Sequence, residues 1–194
     1  MSTIKEPSLP TTEQLEAERR RLRYKRRYNR TLRSTVAILI VAAALAVLAA
    51  TLWMPVLRVY GSSMAPALQN GQILVSVKSK SFSSGDIIAF YHGNKLLVKR
   101  YIAGPSDYVS IDEDGNVSVN GQLLDEPYLP EKALGETDIE YPYQVPDQRY
   151  FVMGDNRSVS IDSRSSIVGC IAADQIVGKI VFRVWPLNAF GRLN

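Results

Sequence analysis

The stretch TVAILIVAAALAVLAATLWM, from Thr35 to Met54, contains 20 residues and no charged side chain. About 20 residues at a rise of 1.5 Å each match the ~30 Å hydrocarbon core of a bilayer. A buried helix of a soluble protein would usually show a polar stripe, which is absent from this sequence. Trp53 stands at the far end, where an amphipathic ring suits the membrane interface. The stretch therefore predicts a transmembrane helix.

The segment before this stretch is strongly basic. Nine Lys and Arg residues lie between Arg19 and Arg33 with no acid among them, which fits either a nucleic-acid arm or a membrane-flanking cluster. The apolar stretch that follows favours the membrane, and the positive-inside rule places the N-terminus in the cytoplasm and the rest outside. A cleaved signal would have a shorter apolar run and a shorter leading segment. We expect a basic cytoplasmic tail over 1–34, an uncleaved signal-anchor over 35–54, and no nucleic-acid partner.

Residues 11–28 within this tail consist mostly of helix formers. Thr11 and Gln14 have the spacing of a capping box, which indicates where this helix begins. Because the segment has no continuous apolar stripe, we expect the helix to be solvated and cytoplasmic.

The composition changes after Pro55, where short runs of β-branched and aromatic residues alternate with Gly, Pro, Asn and Asp. The predicted strands are 56–60, 72–77, 86–91, 96–102, 107–111, 116–120, 150–153 and 176–184. Asp114-Gly115, between two alternating runs, indicates a hairpin. The acidic, Pro- and Tyr-rich segment 121–148 is predicted to be an extended excursion rather than core. We therefore expect a mostly β extracytoplasmic domain over 55–194, with an excursion at about 105–149, behind one N-terminal transmembrane α-helix.

Two residue types are nearly missing, which excludes several kinds of site. One cysteine, Cys170, excludes an internal disulfide and a cysteine-cluster zinc site. One histidine, His92, excludes any site that needs two imidazoles, such as HExxH zinc chemistry. A Ser-His-Asp triad would depend on His92 alone, and we expect no metal and no cofactor.

Three stretches carry side chains that could do chemistry. GSSMAP, over 61–66, follows a predicted strand, and small residues in a turn can expose a serine hydroxyl and leave backbone N–H groups free for an oxyanion. In LLVKRYI, over 96–102, Lys99 lies in an apolar strand; burial would lower its pKa, and a neutral lysine can accept a proton from serine. GDNRSVSIDSR, over 154–164, can brace a site through charge-assisted hydrogen bonds. Each stretch alone also fits an ordinary turn, edge strand or surface loop.

Together, in this order and with a membrane anchor before the serine, the three stretches resemble the bacterial type I (leader) signal peptidases, a family of serine proteases with a Ser-Lys dyad. GSSMAP is similar to the family's serine motif, VKRYIAGPSD to its lysine motif, and GDNRSVSIDSR to its Gly-Asp-Asn-Arg…Asp-Ser-Arg motif. SGDIIAF is similar to the hydrophobic strand that precedes the lysine motif. The resemblance covers about residues 35–185.

The resemblance implies a role for each matching residue. Ser63 would be the nucleophile, Lys99 the general base, and Ser160 the group that hydrogen-bonds and orients the lysine. The residues that would support the site by ion pairing are Asp155, Asp162 and Arg164, with Arg100 and Arg157 as weaker candidates. The residues that would line the shallow apolar substrate pockets are Val59, Met64, Leu68, Leu74, Ala89 and Val98.

The sequence departs from the family's pattern at two positions. In some members a serine two positions before the nucleophile donates to the oxyanion, but Gly61 stands here. The oxyanion candidates are therefore the Ser63 N–H together with Ser62 or the Gly61 backbone. Ser106 replaces the usual glycine in the turn after the lysine motif. Because Lys99 holds the position where relatives in other domains of life use His, we expect His92 to be a hairpin residue.

The implied function is that of a signal peptidase I, an endopeptidase that removes N-terminal signal peptides from exported preproteins after Ala-x-Ala-like sites through an acyl-enzyme. Its partners would be these preproteins, the lipid bilayer and the secretion translocon, and it would span the plasma membrane of a bacterium once. Two alternatives stay open. A self-cleaving repressor-like protease would need an N-terminal helix-turn-helix in place of the membrane span. In a non-catalytic membrane-anchored β module, Ser63 and Lys99 would lie far apart or in solvent.

Overall fold

The computed structural model describes residues 11–79 and 81–193, so the first ten residues of the predicted tail lie outside them. Helix α1 runs without a break from Thr12 to Trp53, and it joins the predicted tail helix and the predicted membrane span in one element of 42 residues. The capping box forms as predicted: Thr11 N–H donates to Gln14 Oε1 at 3.1 Å, and Gln14 N–H donates to Thr11 Oγ1 at 3.4 Å. At 1.5 Å per residue the helix is about 63 Å long, roughly twice a hydrocarbon core.

Helix α1 is long and apolar enough to cross a membrane, by length and composition. None of its residues is buried in the structure. The chain divides into two compact units between Ala49 and Ala50, and every strand of the described residues lies in the second unit.

The larger sheet of the second unit is antiparallel throughout and has eight strands. Its strands are β1 (Val56–Arg58), β2 (Ile73–Val77), β3 (Ile87–His92), β4 (Lys95–Ala103), β9 (Arg149–Met153), β10 (Ile171–Ala172), β11 (Ile176–Trp185) and β12 (Gly191–Arg192). The order across the sheet is β1-β2-β11-β3-β4-β9-β10, and β12 pairs with β11. His92 ends β3 at the turn into β4, which confirms the predicted hairpin position.

A smaller sheet of four strands lies within the predicted excursion. Its strands are β5 (Tyr108–Ile111), β6 (Val117–Val119), β7 (Gln122–Leu123) and β8 (Tyr143–Gln144), in the order β7-β6-β5-β8. The predicted Asp114-Gly115 turn joins β5 to β6, and Gly115 has a φ of +81°, which a glycine adopts without strain. All eight predicted strands are present, while the two-residue strands β7, β8, β10 and β12 were too short to leave a pattern.

The prediction that segment 121–148 lies outside the core is wrong. Val145 is 1% exposed and belongs to the same cluster as Phe151 and Val109. Several partly buried side chains of the segment pack against that cluster, among them Leu134 and Ile139. These apolar residues are scattered among prolines and acids without a helical or strand period, so the sequence pattern did not reveal them.

Two features of the larger sheet assemble the three motifs. Strands β4 and β9 are neighbours, and Arg100 pairs with Met153, so the stretch that begins at Gly154 starts beside the lysine motif. A buried cluster, which includes Leu57 and Met64 together with Ala89 of β3, packs the turn after β1 against the side of β4 that carries Val98. Residues far apart in sequence therefore meet at one place.

Candidate active site

Ser63 lies half-buried in the turn that follows β1. Gly61 has a φ of +87°, a left-handed conformation that a larger residue rarely adopts. Its N–H donates to Asn70 Oδ1 at 3.2 Å, and the Asn156 N–H donates to the Ser63 carbonyl oxygen at 3.0 Å. The turn is thus held at two points, while the Ser63 hydroxyl has no hydrogen-bond partner among the residues that the structure describes.

Lys99 lies on β4 and is only 3% exposed. Its Nζ donates a hydrogen bond of 2.7 Å to Ser160 Oγ. Burial disfavours a charged amine, and it lowers the pKa of Lys99 from 10.5 to about 8. Within residues 11–79 and 81–193, Lys99 forms no ion pair.

Asp155 and Asp162 both tend to raise the pKa of Lys99, but each is paired with an arginine. Arg100 Nε and Nη2 donate to the two carboxylate oxygens of Asp155 at 2.7 and 2.6 Å. Arg164 Nε and Nη2 donate to the two oxygens of Asp162, each at 2.9 Å. Although burial favours the neutral acid, Arg164 holds the pKa of Asp162 below its usual range. Burial has the largest effect on the pKa of Lys99, and it lowers that pKa. The Arg164 charge lowers it further and opposes the two aspartates, so the pKa stays below that of an exposed lysine.

Ser63 and Lys99 line one cleft with a cavity volume of about 50 Å³. One wall consists of residues 57–61, 63 and 64, and the other is the first half of β4, residues 96–99. In the described part of the chain no hydrogen bond joins the Ser63 hydroxyl to the Lys99 amine, which is bonded to Ser160. Catalytic hydrogen bonds are often loose without substrate and tighten when it binds.

The predicted pocket residues fall into two groups. Those that line the cleft are Val59, Met64 and Val98. Those that lie fully buried in the cluster beneath it are Leu68, Leu74 and Ala89. The cleft has further apolar wall residues that the sequence did not single out, Leu57, Leu96 and Leu97. Aliphatic side chains therefore stand beside the polar groups of Ser63 and Lys99 in the cleft lining.

The three oxyanion candidates differ in whether their N–H groups are free. The Gly61 N–H is already used by Asn70 Oδ1. The N–H groups of Ser62 and Ser63, and the Ser62 hydroxyl, donate to no other group among the described residues. Ser63 and Ser62 therefore remain candidate donors, and the Gly61 amide does not.

Gly154 connects the Ser63 turn to Ser160. A Cβ at this position would overlap the Ser160 side chain and would lie 2.5 Å from the Ser63 carbonyl oxygen. The Gly154 N–H also donates to Asp162 Oδ2 at 2.9 Å. Sequence reasoning assigned no role to this glycine. A close approach between segments distant in sequence leaves no local pattern, and the contacts of Asn156, Glu126 and Tyr128 with the site were missed for the same reason.

Serine hydrolases with a lysine base place a serine hydroxyl in one cleft with a buried lysine of low pKa, as Ser63 and Lys99 are placed here. Residues 32–185 match the family described as signal peptidase, peptidase S26. The chain is 35% identical to signal peptidase I S of Bacillus subtilis (strain 168) over 168 residues, which is 80% of this chain and 90% of that protein. It is 38% identical to signal peptidase IB of Staphylococcus aureus (strain COL) over 151 residues, 67% of this chain and 77% of that protein.

The chain belongs to the signal peptidase family, peptidase S26. It is a serine endopeptidase of bacterial type with an N-terminal helix suited to a membrane. The repressor-like alternative required a helix-turn-helix before the protease domain, and the single long helix α1 stands in that place.

Proposed function

We propose that this protein removes signal peptides from exported preproteins, with Ser63 as nucleophile and Lys99 as general base. The observation that carries the proposal is the buried Lys99 amine, which has a pKa of about 8 and shares a cleft with the Ser63 hydroxyl. A lysine at this pKa is neutral in an appreciable fraction near pH 7, so it can accept a proton. Ser160, bonded to the amine at 2.7 Å, restricts where its lone pair points.

The reaction proceeds in two steps. Ser63 Oγ attacks the carbonyl carbon of the scissile peptide bond while its proton passes to Lys99 Nζ. The oxyanion is held by the Ser63 N–H with Ser62, and a donor of this kind typically stabilises the transition state by about 2.7–4 kcal/mol. Lys99 then protonates the leaving amine of the mature protein. A water molecule, deprotonated by the same amine, hydrolyses the acyl-enzyme and restores the Ser63 hydroxyl.

The substrate preference follows from the cleft. Val59, Met64 and Val98 leave an aliphatic lining that favours small apolar side chains before the scissile bond. Such a lining supports cleavage after Ala-x-Ala-like sites. The basic block before the apolar part of α1 supports an orientation with the N-terminus in the cytoplasm and the β domain outside, where signal peptides emerge.

A preprotein with Ala at positions −3 and −1 is expected to be cut at that bond by the full-length protein in detergent. Replacing Ala at −1 by Phe should slow cleavage by about 100-fold or more, because a large ring does not fit an aliphatic pocket of small volume. Mass spectrometry of the products gives the bond, and product formation over time gives the rate. The control substrate is the same preprotein with an Ala-to-Phe replacement well inside its mature part, away from the scissile bond. Equal rates for both −1 residues, or no cleavage at all, would count against the proposal.

The cleavage rate kcat/KM is expected to rise with pH and to reach half of its maximum at about pH 8, the pKa of Lys99. Below the pKa of Lys99, the neutral fraction of its amine falls tenfold with each pH unit, and kcat/KM should fall with it. The measurement is kcat/KM from about pH 6 to 10, with near-UV circular dichroism to confirm that the fold persists. A profile that is flat across pH 8 would contradict a lysine that acts uncharged.

A further inference from the structure

The segment between β7 and β8 places two side chains on the arginines beside the active site. Glu126 is only 5% exposed, although it belongs to an acidic segment rich in proline. Arg157 Nη2 and Nη1 donate to its carboxylate at 2.5 and 3.4 Å. Tyr128 donates its hydroxyl to Glu126 Oε1 at 3.0 Å, and its ring centre lies 3.7 Å from Arg100 Cζ. Residues Glu126-Pro127-Tyr128 are called the latch below.

Both arginines hold neighbouring residues of the third motif. Arg157 Nε donates to the Gly154 carbonyl oxygen at 3.1 Å. Arg100 binds both oxygens of Asp155. Arg100 is also the residue that follows Lys99 on β4. The latch therefore contacts the two guanidinium groups that bind the Gly154 carbonyl oxygen and the Asp155 carboxylate.

That backbone is in turn packed against the reacting groups. Gly154 approaches the Ser63 carbonyl oxygen and the Ser160 side chain so closely that no Cβ would fit. Two residues after Gly154, the Asn156 N–H donates to the Ser63 carbonyl oxygen at 3.0 Å. A shift of the Gly154–Asn156 turn would therefore move both the serine and the hydroxyl that orients Lys99.

The latch matters because the arginines are buried. Arg100 and Arg157 are each 2% exposed, and a buried guanidinium is stable only when it is paired. Among the described residues, Glu126 is the sole ion-pair partner of Arg157. The Tyr128 ring covers Arg100, whose charge is attracted to the face of an aromatic ring.

We propose that the latch is a positioning element of the active site: through Arg157 and Arg100 it fixes the Gly154–Asn156 turn, and thereby the alignment of Ser63 with Lys99. This inference rests on the proposed function. Neither Glu126 nor Tyr128 lines the substrate cleft. The latch therefore acts on the rate of the chemical step and not on the binding of the preprotein, and segment 121–148 gains a role that its sequence does not indicate.

The test compares Glu126→Gln and Tyr128→Leu with Asp125→Asn in the full-length protein. Asp125 is exposed and forms no hydrogen bond or ion pair in the described part of the chain, so it matches the charge change of Glu126→Gln. We expect Glu126→Gln and Tyr128→Leu to lower kcat by about 10- to 100-fold, the size of effect that a misplacement of about 1 Å produces. KM for an Ala-x-Ala preprotein should stay within about twofold, and Asp125→Asn should behave as wild type.

Rates are taken at a temperature at which near-UV circular dichroism shows each variant to be folded, so that lost stability does not enter kcat. If Glu126→Gln does not fold, Tyr128→Leu decides, since it keeps the Glu126–Arg157 pair. Tyr128→Phe, which keeps the ring over Arg100, should lose less than Tyr128→Leu. Latch variants that keep the wild-type kcat, or that only raise KM, would overturn this inference. The proposed function would still stand in that case, because the wild-type protein cleaves the preprotein. A wild-type protein that cleaves nothing would overturn both.

Discussion

Ser63→Ala and Lys99→Met are each expected to reduce preprotein cleavage by about 10⁴-fold or more. The first removes the atom that forms the acyl-enzyme, and the second removes the base that accepts its proton, so either change leaves only binding and oxyanion stabilisation. Because the two groups act in one step, the double variant should be no slower than the worse single variant. Single-turnover cleavage of an Ala-x-Ala preprotein, with enzyme in excess, measures such low rates.

The two variants should differ in stability. Lowering the pKa of Lys99 from 10.5 to about 8 corresponds to about 3 kcal/mol of unfavourable burial of the charged amine. Below pH 8 the amine is charged in both the folded and the unfolded chain, so this penalty is fully present at pH 7, and it disappears as the pH rises from about 8 to 10.5. Lys99→Met should therefore raise the free energy of unfolding at pH 7 by about 1–2 kcal/mol, after allowance for the lost bond to Ser160.

Urea unfolding of the detergent-solubilised protein at pH 7, followed by near-UV circular dichroism, measures this difference. Ser63→Ala should change the free energy of unfolding little, because the Ser63 hydroxyl has no partner among the described residues. Ser62→Ala should keep both Ser63 and Lys99 and lose only what the Ser62 hydroxyl adds to oxyanion binding. A Lys99→Met protein that still cleaves at a substantial rate would refute the lysine base, whatever its stability.

Gly154→Ala is expected to lower cleavage by about 100-fold or more and to destabilise the protein by about 1–3 kcal/mol. The added Cβ would overlap Ser160 and press on the Ser63 carbonyl oxygen, and neither can yield without displacing a group of the dyad. Backbone that must shift to relieve such an overlap usually costs about 1–3 kcal/mol, and the hydrogen bond from the Gly154 N–H to Asp162 would be strained as well. Cleavage rate and urea unfolding together test both parts.

Gly191→Ala is the matched control for this change. Gly191 has no positive φ, and a Cβ there would meet no other atom of residues 11–79 and 81–193 within 4 Å. It should leave the cleavage rate and the free energy of unfolding near those of the wild type. If Gly154→Ala behaves in the same way, then the close packing of Gly154 against the serine turn does not hold the site.

Much of the fold could be predicted because it depends on local patterns. The apolar stretch, the Thr11–Gln14 capping box and the Asp114-Gly115 turn each act through neighbouring residues, and each is present. The eight longer strands are short runs rich in β-branched and aromatic residues and bounded by turn residues, a composition that is typical of strands. The core contribution of Val145 could not be predicted, because irregular segments bury apolar residues without a period.

The candidate site divides in a similar way. The resemblance of three motifs selected Ser63, Lys99 and Ser160, and the supporting acids and arginines, without any geometry. It did not indicate which arginine pairs with which acid: Arg100 binds Asp155, Arg164 binds Asp162, and Arg157 binds a glutamate of another segment. Among the pocket residues it did not separate those that line the cleft from those buried beneath it.

The long apolar helix, the β character of the second unit and the residue types of the site could be predicted from the sequence alone, because hydrophobicity, turn residues and motif order are local properties of the chain. The burial of the Lys99 amine and the pairing of Glu126 with Arg157 are visible only in the folded chain. Burial and ion pairing depend on side chains that strand order and packing bring together from distant segments, and a lysine's pKa follows those neighbours and not its place in the chain.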